Sequence, residues 1–209
     1  MKYNELYSSL ADKNLWVFSF NDLKTLYPKE NYKTLTVQLD YWRRNGWIRN
    51  LKRGLYELHS PRAKTIPDLY IANRMYEPSY VSLETALSHY SIIPEVAAQA
   101  TSVTTKPTRT FKNHYGSFTY RTIKQSNYRG VRLIKEGGFT IRIAEPEKAL
   151  ADYFYFAVRE GREEEKTERL NTTLLKDMDY KKIIEYAKGF NKKTLTIMED
   201  AYAGLRRAD

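Results

Sequence analysis

The apolar positions of the first sixty residues keep a helical period three times and then shorten to the period of strands. Leu6 and Leu10 stand four apart, which predicts a short packed helix over 4 to 12. "SFNDLKTL" offers Ser19 as an N-cap with Asp22 three residues on, the spacing of a capping box, and Pro28 ends that helix. Asn31 can cap a third helix, "YKTLTVQLDYWRRN", in which Leu35, Leu39 and Trp42 share one face and Gly46 sits where a left-handed residue is wanted. "WIRNLKRGLYEL" then reads as two short strands around a turn containing Gly54. Three short helices and a hairpin, in that order, predict a winged helix-turn-helix over residues 1 to 60.

Residues 61 to 77 hold two prolines and no clean period, so the connection between units is expected there, with room for a short helix at 68 to 75. Ser82 can cap a helix running through Tyr90, with Leu83, Ala86, Leu87 and Tyr90 as its apolar positions. "QATSVTTK", "SFTYRTIK", "YRGVRLIK" and "FTIRIA" predict three or four antiparallel strands between 99 and 143. From Glu145 the pattern turns helical, with Pro146 at the first position and acids in the first turn, and the tail beyond 163 carries two or three more helices. The expected fold is α+β. The winged helix-turn-helix is followed by a mixed α/β domain over 78 to 209, comprising a small antiparallel sheet at 96 to 143 and helices at 145 to 209.

Charge turns this outline towards nucleic acid. The net charge of +10 divides unevenly, with 10 basic against 6 acidic residues in 1 to 58, 12 against 5 in 59 to 144, and 13 against 14 in 145 to 209. Residues 96 to 135 hold Lys106, Arg109, Lys112, Arg121, Lys124, Arg129, Arg132 and Lys135 with no acid, a field that attracts polyanions. On the third helix, the face opposite Leu35 and Leu39 carries Lys33, Thr34, Val37, Tyr41 and Arg44, residue types that donate to phosphate and base edges or meet a thymine methyl. Asp40 falls among them and is expected to pair with Arg44. Lys52 and Arg53 occupy the hairpin tip, where they can reach an adjacent phosphate. Tyr32 flanks the same face.

Catalytic patterns are weak by contrast. Zero cysteines exclude disulfides, thiolate metal sites and a cysteine nucleophile. His59, His89 and His114 lack paired metal-ligand spacing, and there is no phosphate loop, dinucleotide motif or serine elbow. Glu145, Glu147 and Lys148 read as a helix start with acids at the positive dipole end. Glu164 and Lys166, with Pro67 and Asp68 upstream, form a nuclease-like fragment inside a charge run that reads better as a solvated helix face. Tyr153, Phe154 and Phe156 have the spacing of a packed helix rather than a base-stacking platform. The start "MKYNELYSSLADKN" lacks the apolar core of a signal peptide, and "ALADYFYFAV" is too short to span a bilayer, so no membrane contact and a cytoplasmic location are expected. No enzyme activity, cofactor or metal is expected.

"PSYVSLETALSHYSIIPE", "VTTKPTRTF", "GSFTYR" and "RIAEPEKALADYFYF", in that order and spacing, resemble the AbiEi antitoxins of bacterial abortive-infection systems, and "RGLYEL" is similar to the end of that family's winged helix. The resemblance covers nearly the whole chain. It implies a phage-defence antitoxin that represses its own operon through operator DNA and counteracts a nucleotidyltransferase-like toxin, without a stable toxin complex. Ser91 departs from the glycine the family favours after the helix. Two other roles fit the residues: a protein-interaction module whose segment 96 to 135 contacts the toxin or its nucleic-acid substrate, and a metal-dependent nuclease. A dimer on an inverted-repeat operator would also suit such a repressor.

Overall fold

Helix α1 (Tyr3–Asp12), strand β1 (Val17–Ser19), helices α2 (Phe20–Leu26) and α3 (Tyr32–Arg44), and strands β2 (Ile48–Lys52) and β3 (Leu55–Leu58) form the N-terminal unit of the computed structural model. The structure describes residues 2–59, 64–94, 99–162 and 169–207, the side chains of the last four excepted. The capping signals act as read. Ser19 Oγ accepts from the Asp22 amide at 3.2 Å while Asp22 accepts from the Ser19 amide at 2.6 Å, and Asn31 Oδ1 accepts from the Lys33 amide. Leu6, Leu10, Phe18, Leu23, Leu39, Trp42, Ile48 and Leu58 close one apolar core. Strand β1 has no counterpart in the sequence reading: three residues are too few to show alternation, yet Val17, Phe18 and Ser19 pair with Glu57, Tyr56 and Leu55. The resulting sheet has the order β1-β3-β2 and is antiparallel throughout.

The second sheet is larger than expected. Its six strands are β4 (Ser79–Val81), β5 (Ala100–Thr104), β6 (Arg109–Asn113), β7 (Gly116–Thr122), β8 (Val131–Glu136) and β9 (Phe139–Ala144), in the order β6-β7-β5-β4-β9-β8. It is mixed rather than antiparallel, because β5 runs parallel to β7 and β4 parallel to β9. The two unexpected strands explain the difference. β4 is three residues long and buried on both faces, and β6, "RTFKN", is mostly exposed, so neither shows the alternation that marks a half-buried strand.

Helix α4 (Asp68–Met75) lies in the stretch read as a connection, and it is packed rather than linking. Ile71, Ala72 and Met75 are fully buried, and Tyr120 of β7 donates to the Ala72 carbonyl. Asn73 reaches β9 where β4 pairs with it only at Val81 and Ile143. Its amide accepts from the Arg142 N–H at 2.6 Å and donates to the Arg142 carbonyl at 3.0 Å, taking the place of a missing strand neighbour. On the opposite face lie α5 (Leu83–His89) and α6 (Pro146–Glu160), so the unit is layered helix, sheet, helix. Ser91 follows α5 at φ +59°, a left-handed position that explains a preference for glycine there. Helices α7 (Thr172–Lys176), α8 (Tyr180–Lys188) and α9 (Lys192–Arg207) complete the chain.

The two units share surfaces. Val17, Leu51 and Leu55 belong to the core of the second unit, Arg74 of α4 donates to Asp22 at 2.9 Å, Asn113 donates to the Leu51 carbonyl, and Asn14 donates to the Gly138 carbonyl. Glu57, buried in β3, accepts from Tyr115 at 2.8 Å and lies 2.9 Å from His114 Nε2. The β2–β3 hairpin is thus seated against the β6–β7 end of the large sheet.

Candidate nucleic-acid interface

Helix α3 separates its faces cleanly. Leu35, Leu39 and Trp42 are buried, while Lys33, Thr34, Val37, Tyr41 and Arg44 are exposed, with Val37 at 69%. Val37 and Tyr41 are both large apolar side chains left open on this face, flanked by Lys33 and Arg44. Tyr41 stands edge-on to Trp47, and Tyr32 packs on Phe20 with the Lys24 ammonium over its ring. These contacts fix the aromatic rings at the two ends of the exposed face.

Asp40 pairs with Arg43 at 2.8 Å and with Arg44 at 2.5 Å. The Arg43 hydrogen bond, then the Arg44 charge, hold its carboxyl below the usual carboxylate range. The anion on this face is therefore already engaged, and the guanidinium of Arg44 is partly neutralised by it.

Strands β2 and β3 join through a turn at Arg53 and Gly54, where Gly54 takes φ +77°. Arg53 is exposed. Lys52 is not free at the tip: its ammonium lies 5.0 Å from the Phe111 ring centre and 5.9 Å from that of Tyr76. Burial lowers its pKa, and the nearby charges of Lys106 and Arg109 push the same way. Lys106 and Arg109 also sit over Tyr76, at 5.5 and 5.9 Å, so three cations from two units converge on one ring. Tyr76 and Phe111 were not singled out in the sequence, and 24 to 59 residues separate them from Lys52, so nothing local signals the cluster.

The long acid-free segment is less uniform in space than along the chain. Arg121 pairs with Glu160 of α6 at 2.6 Å and lies over Phe156, and Arg129 pairs with Glu185 of α8 at 3.0 Å. Lys112 and Lys124 are exposed, and Arg132 lies over Tyr90. Carboxylates absent from 96 to 135 are thus returned in part by the helices packed beside it, while Lys52, Lys106 and Arg109 stay grouped around Tyr76, with the Glu77 charge opposing the other two cations at Lys52.

The other candidate chemistry resolves into structure. Lys148 and Asp152 are both inside, and Asp152 accepts from Lys148, from Tyr80 at 2.9 Å and from Ser82 at 2.8 Å. The Ser82 hydroxyl therefore serves Asp152 instead of capping α5, and burial together with Asp152 holds the Tyr80 phenol well above its usual pKa. Phe190 and Tyr186 cover the Lys148 ammonium at 4.6 and 5.9 Å. Glu145 accepts from Lys182 and Tyr186. His114 faces Glu57, and among the described residues no group of three or more histidine, aspartate and glutamate side chains could hold a metal ion. Glu164 and Lys166 lie outside the described residues. Among the described residues no helix is long and apolar enough to cross a membrane.

No protein-family model matches the chain, and no curated protein matches it. Among solved structures it is similar to the crystal structure of the Rv2827c protein from Mycobacterium tuberculosis, with 12% identity over 95% of this chain and 79% of that one and a TM-score of 0.48. A likeness at that level transfers neither fold nor function.

Proposed function

We propose that the chain is a sequence-specific DNA-binding repressor and antitoxin that acts by binding rather than catalysis. In this reading the N-terminal unit is a winged helix, α2 and α3 are its helix-turn-helix, and β2–β3 is its wing. Helix α3 enters the major groove of duplex operator DNA, where Thr34 and Val37 read base edges while Lys33, Tyr41 and Arg44 hold phosphates. Arg53 meets an adjacent phosphate, and Lys52, Lys106 and Arg109 carry the backbone contact onto the second unit. The observation that supports this best is the outer face of α3, which leaves Val37 and Tyr41 exposed between cations. The antitoxin half of the reading, opposition to a nucleotidyltransferase-like toxin encoded alongside, rests on the sequence resemblance.

Fluorescence anisotropy with duplex DNA from upstream of the protein's own reading frame tests the DNA-binding half. Affinity should fall by roughly 0.9 log unit per log unit of salt for each phosphate neutralised. Arg53→Ala should reduce that slope by about 1 with sequence preference intact, whereas Thr34→Ala or Val37→Ala should cost about 1–3 kcal/mol on the operator and little on scrambled duplex. Equal affinity for operator and scrambled DNA in the unaltered protein would overturn the reading.

A further inference from the structure

The two outer strands of the large sheet are unlike each other. β6 is covered by the hairpin of the N-terminal unit, since Asn113 donates to the Leu51 carbonyl and Phe111 lies beneath Lys52. β8 pairs with β9 on one side, and among the described residues no strand lies on its other side. Half of its backbone N–H and C=O groups therefore face outward as a template for another strand. Leu133, at its centre, is 66% exposed. Glu136 has no ion-pair partner among the described residues, and Arg132 is exposed with its guanidinium over Tyr90.

The sequence of β8, "VRLIKE", is self-complementary in one register. An antiparallel copy centred on Ile134 sets Ile134 against itself, Arg132 against the copy's Glu136, and Glu136 against the copy's Arg132. Both ion pairs form on the same face as the isoleucine contact, because these residues alternate along the strand. On the opposite face Leu133 meets Lys135, whose methylenes can cover it while the ammonium stays in water. Of the neighbouring registers, the one centred on Leu133 sets Arg132 against Ile134 and leaves both charges without an opposite, and the one centred on Lys135 sets two ammonium groups against each other. The charges thus select one alignment. A strand can pair about a residue through either its hydrogen-bonded or its non-hydrogen-bonded positions, so the alignment does not depend on which groups of β8 point outward.

We propose that a second copy of this chain docks antiparallel on β8 through this register, joining two six-stranded sheets across a two-fold axis at Ile134. The inference is independent of the DNA-binding reading, although a two-fold pair would present two copies of α3 to an inverted repeat. Edge lysines often block strand pairing, and here Lys135 alone would do so; the reciprocal Arg132–Glu136 pairs are what reverse the expectation.

The chain has no cysteine, so single-cysteine cross-linking of the full-length protein reads the register directly. Ile134→Cys should form a disulfide-linked dimer under mild oxidation, since residues facing each other across antiparallel strands lie about 4.5–5.5 Å apart at Cα. Leu133→Cys mixed with Lys135→Cys should give the mixed dimer in preference to either self-linked dimer. Lys112→Cys on β6 should remain monomeric. In sedimentation equilibrium, Arg132→Glu should weaken association about tenfold or more, and the exchange Arg132→Glu with Glu136→Arg should restore it. A monomeric unaltered protein at about 100 μM, cross-linking at Lys112 as readily as at Ile134, or an exchange variant no better than the single one would each overturn the proposal.

Discussion

Two cation–carboxylate pairs in this chain share a four-residue helical spacing and have opposite surroundings. Asp40 and Arg44 lie on the outer face of α3, with side chains 39% and 72% exposed; Lys148 and Asp152 lie inside α6, at 1% and 0%. In water the first pair gains little from its attraction and is screened by salt. In the interior the second is held by desolvation: neither charge can be left alone, and Asp152 also anchors Tyr80 of β4 and Ser82 at the start of α5. One spacing therefore serves two purposes. The exposed pair trims the positive charge of the outer face of α3, and the buried pair joins helix, strand and helix at the centre of the second unit.

The largest effect that would break this contrast is expected at the buried pair. Asp152→Leu leaves the Lys148 ammonium uncompensated and should lower stability by about 3–5 kcal/mol in urea denaturation. Combining it with Lys148→Met removes the stranded charge and should recover part of that loss, with a remainder from the orphaned Tyr80 and Ser82 hydroxyls of about 1–3 kcal/mol each. If the double variant were no better than the single one, the charge would not be what makes the site costly.

Glu145 supplies the intermediate case. It precedes α6 and accepts from Lys182 of α8 at 2.7 Å and from Tyr186 at 2.8 Å, and it is about a quarter exposed. The Lys182 hydrogen bond is the main reason its carboxyl sits below the ordinary value of 4.5, against an opposing effect of burial. A folded pKa below the unfolded one gives stability that is present above pH 4.5 and lost as the pH falls through the folded value. Lys182 is shifted upward by the same contact, so its share is present below 10.5 and is lost as the pH rises through its folded value. Glu145→Gln should flatten the acid side of the stability profile, by less than about 1 kcal/mol because water screens the pair. An unchanged slope below pH 4.5 would show that the contact between α6 and α8 is apolar in origin.

The same gradation from exposed to buried decides what the sequence could reveal. The face of α3 was legible because Leu35, Leu39 and Trp42 mark its inner side and everything opposite them stays outside. The helix starts at Ser19 and Asn31 were legible because a cap is made within three residues. The small strands β1, β4 and β6 were not: β1 is three residues long and pairs with residues 36 to 40 positions away, β4 is buried on both faces, and β6 is mostly exposed, so none shows the alternation of a half-buried strand. The charge of residues 96 to 135 was legible as a count but not as a field, because Glu160 and Glu185 return to Arg121 and Arg129 only after folding. Lys52 shows the same limit. Its place in a turn could be read, but its seat beside Phe111 could not.

The exposed pair offers the smallest and most discriminating change. Asp40 contacts Arg44, which the proposed groove-reading face would present to DNA, and the neighbouring Arg43. Asp40→Asn keeps the size of the side chain while removing its charge, so the thermal midpoint should stay where it is, in contrast to any substitution at Asp152. On duplex DNA the freed Arg43 and Arg44 would become available to phosphate, and the salt dependence should steepen by up to about 1 in slope for each guanidinium that engages. Specificity should fall at the same time, because the gain is indifferent to sequence. A large loss of stability would mean that this pair, despite its exposure, behaves like the buried one. An unchanged salt slope would mean that the arginines face away from the nucleic acid, and α3 would then lie in the groove rotated towards Lys33, Thr34 and Val37.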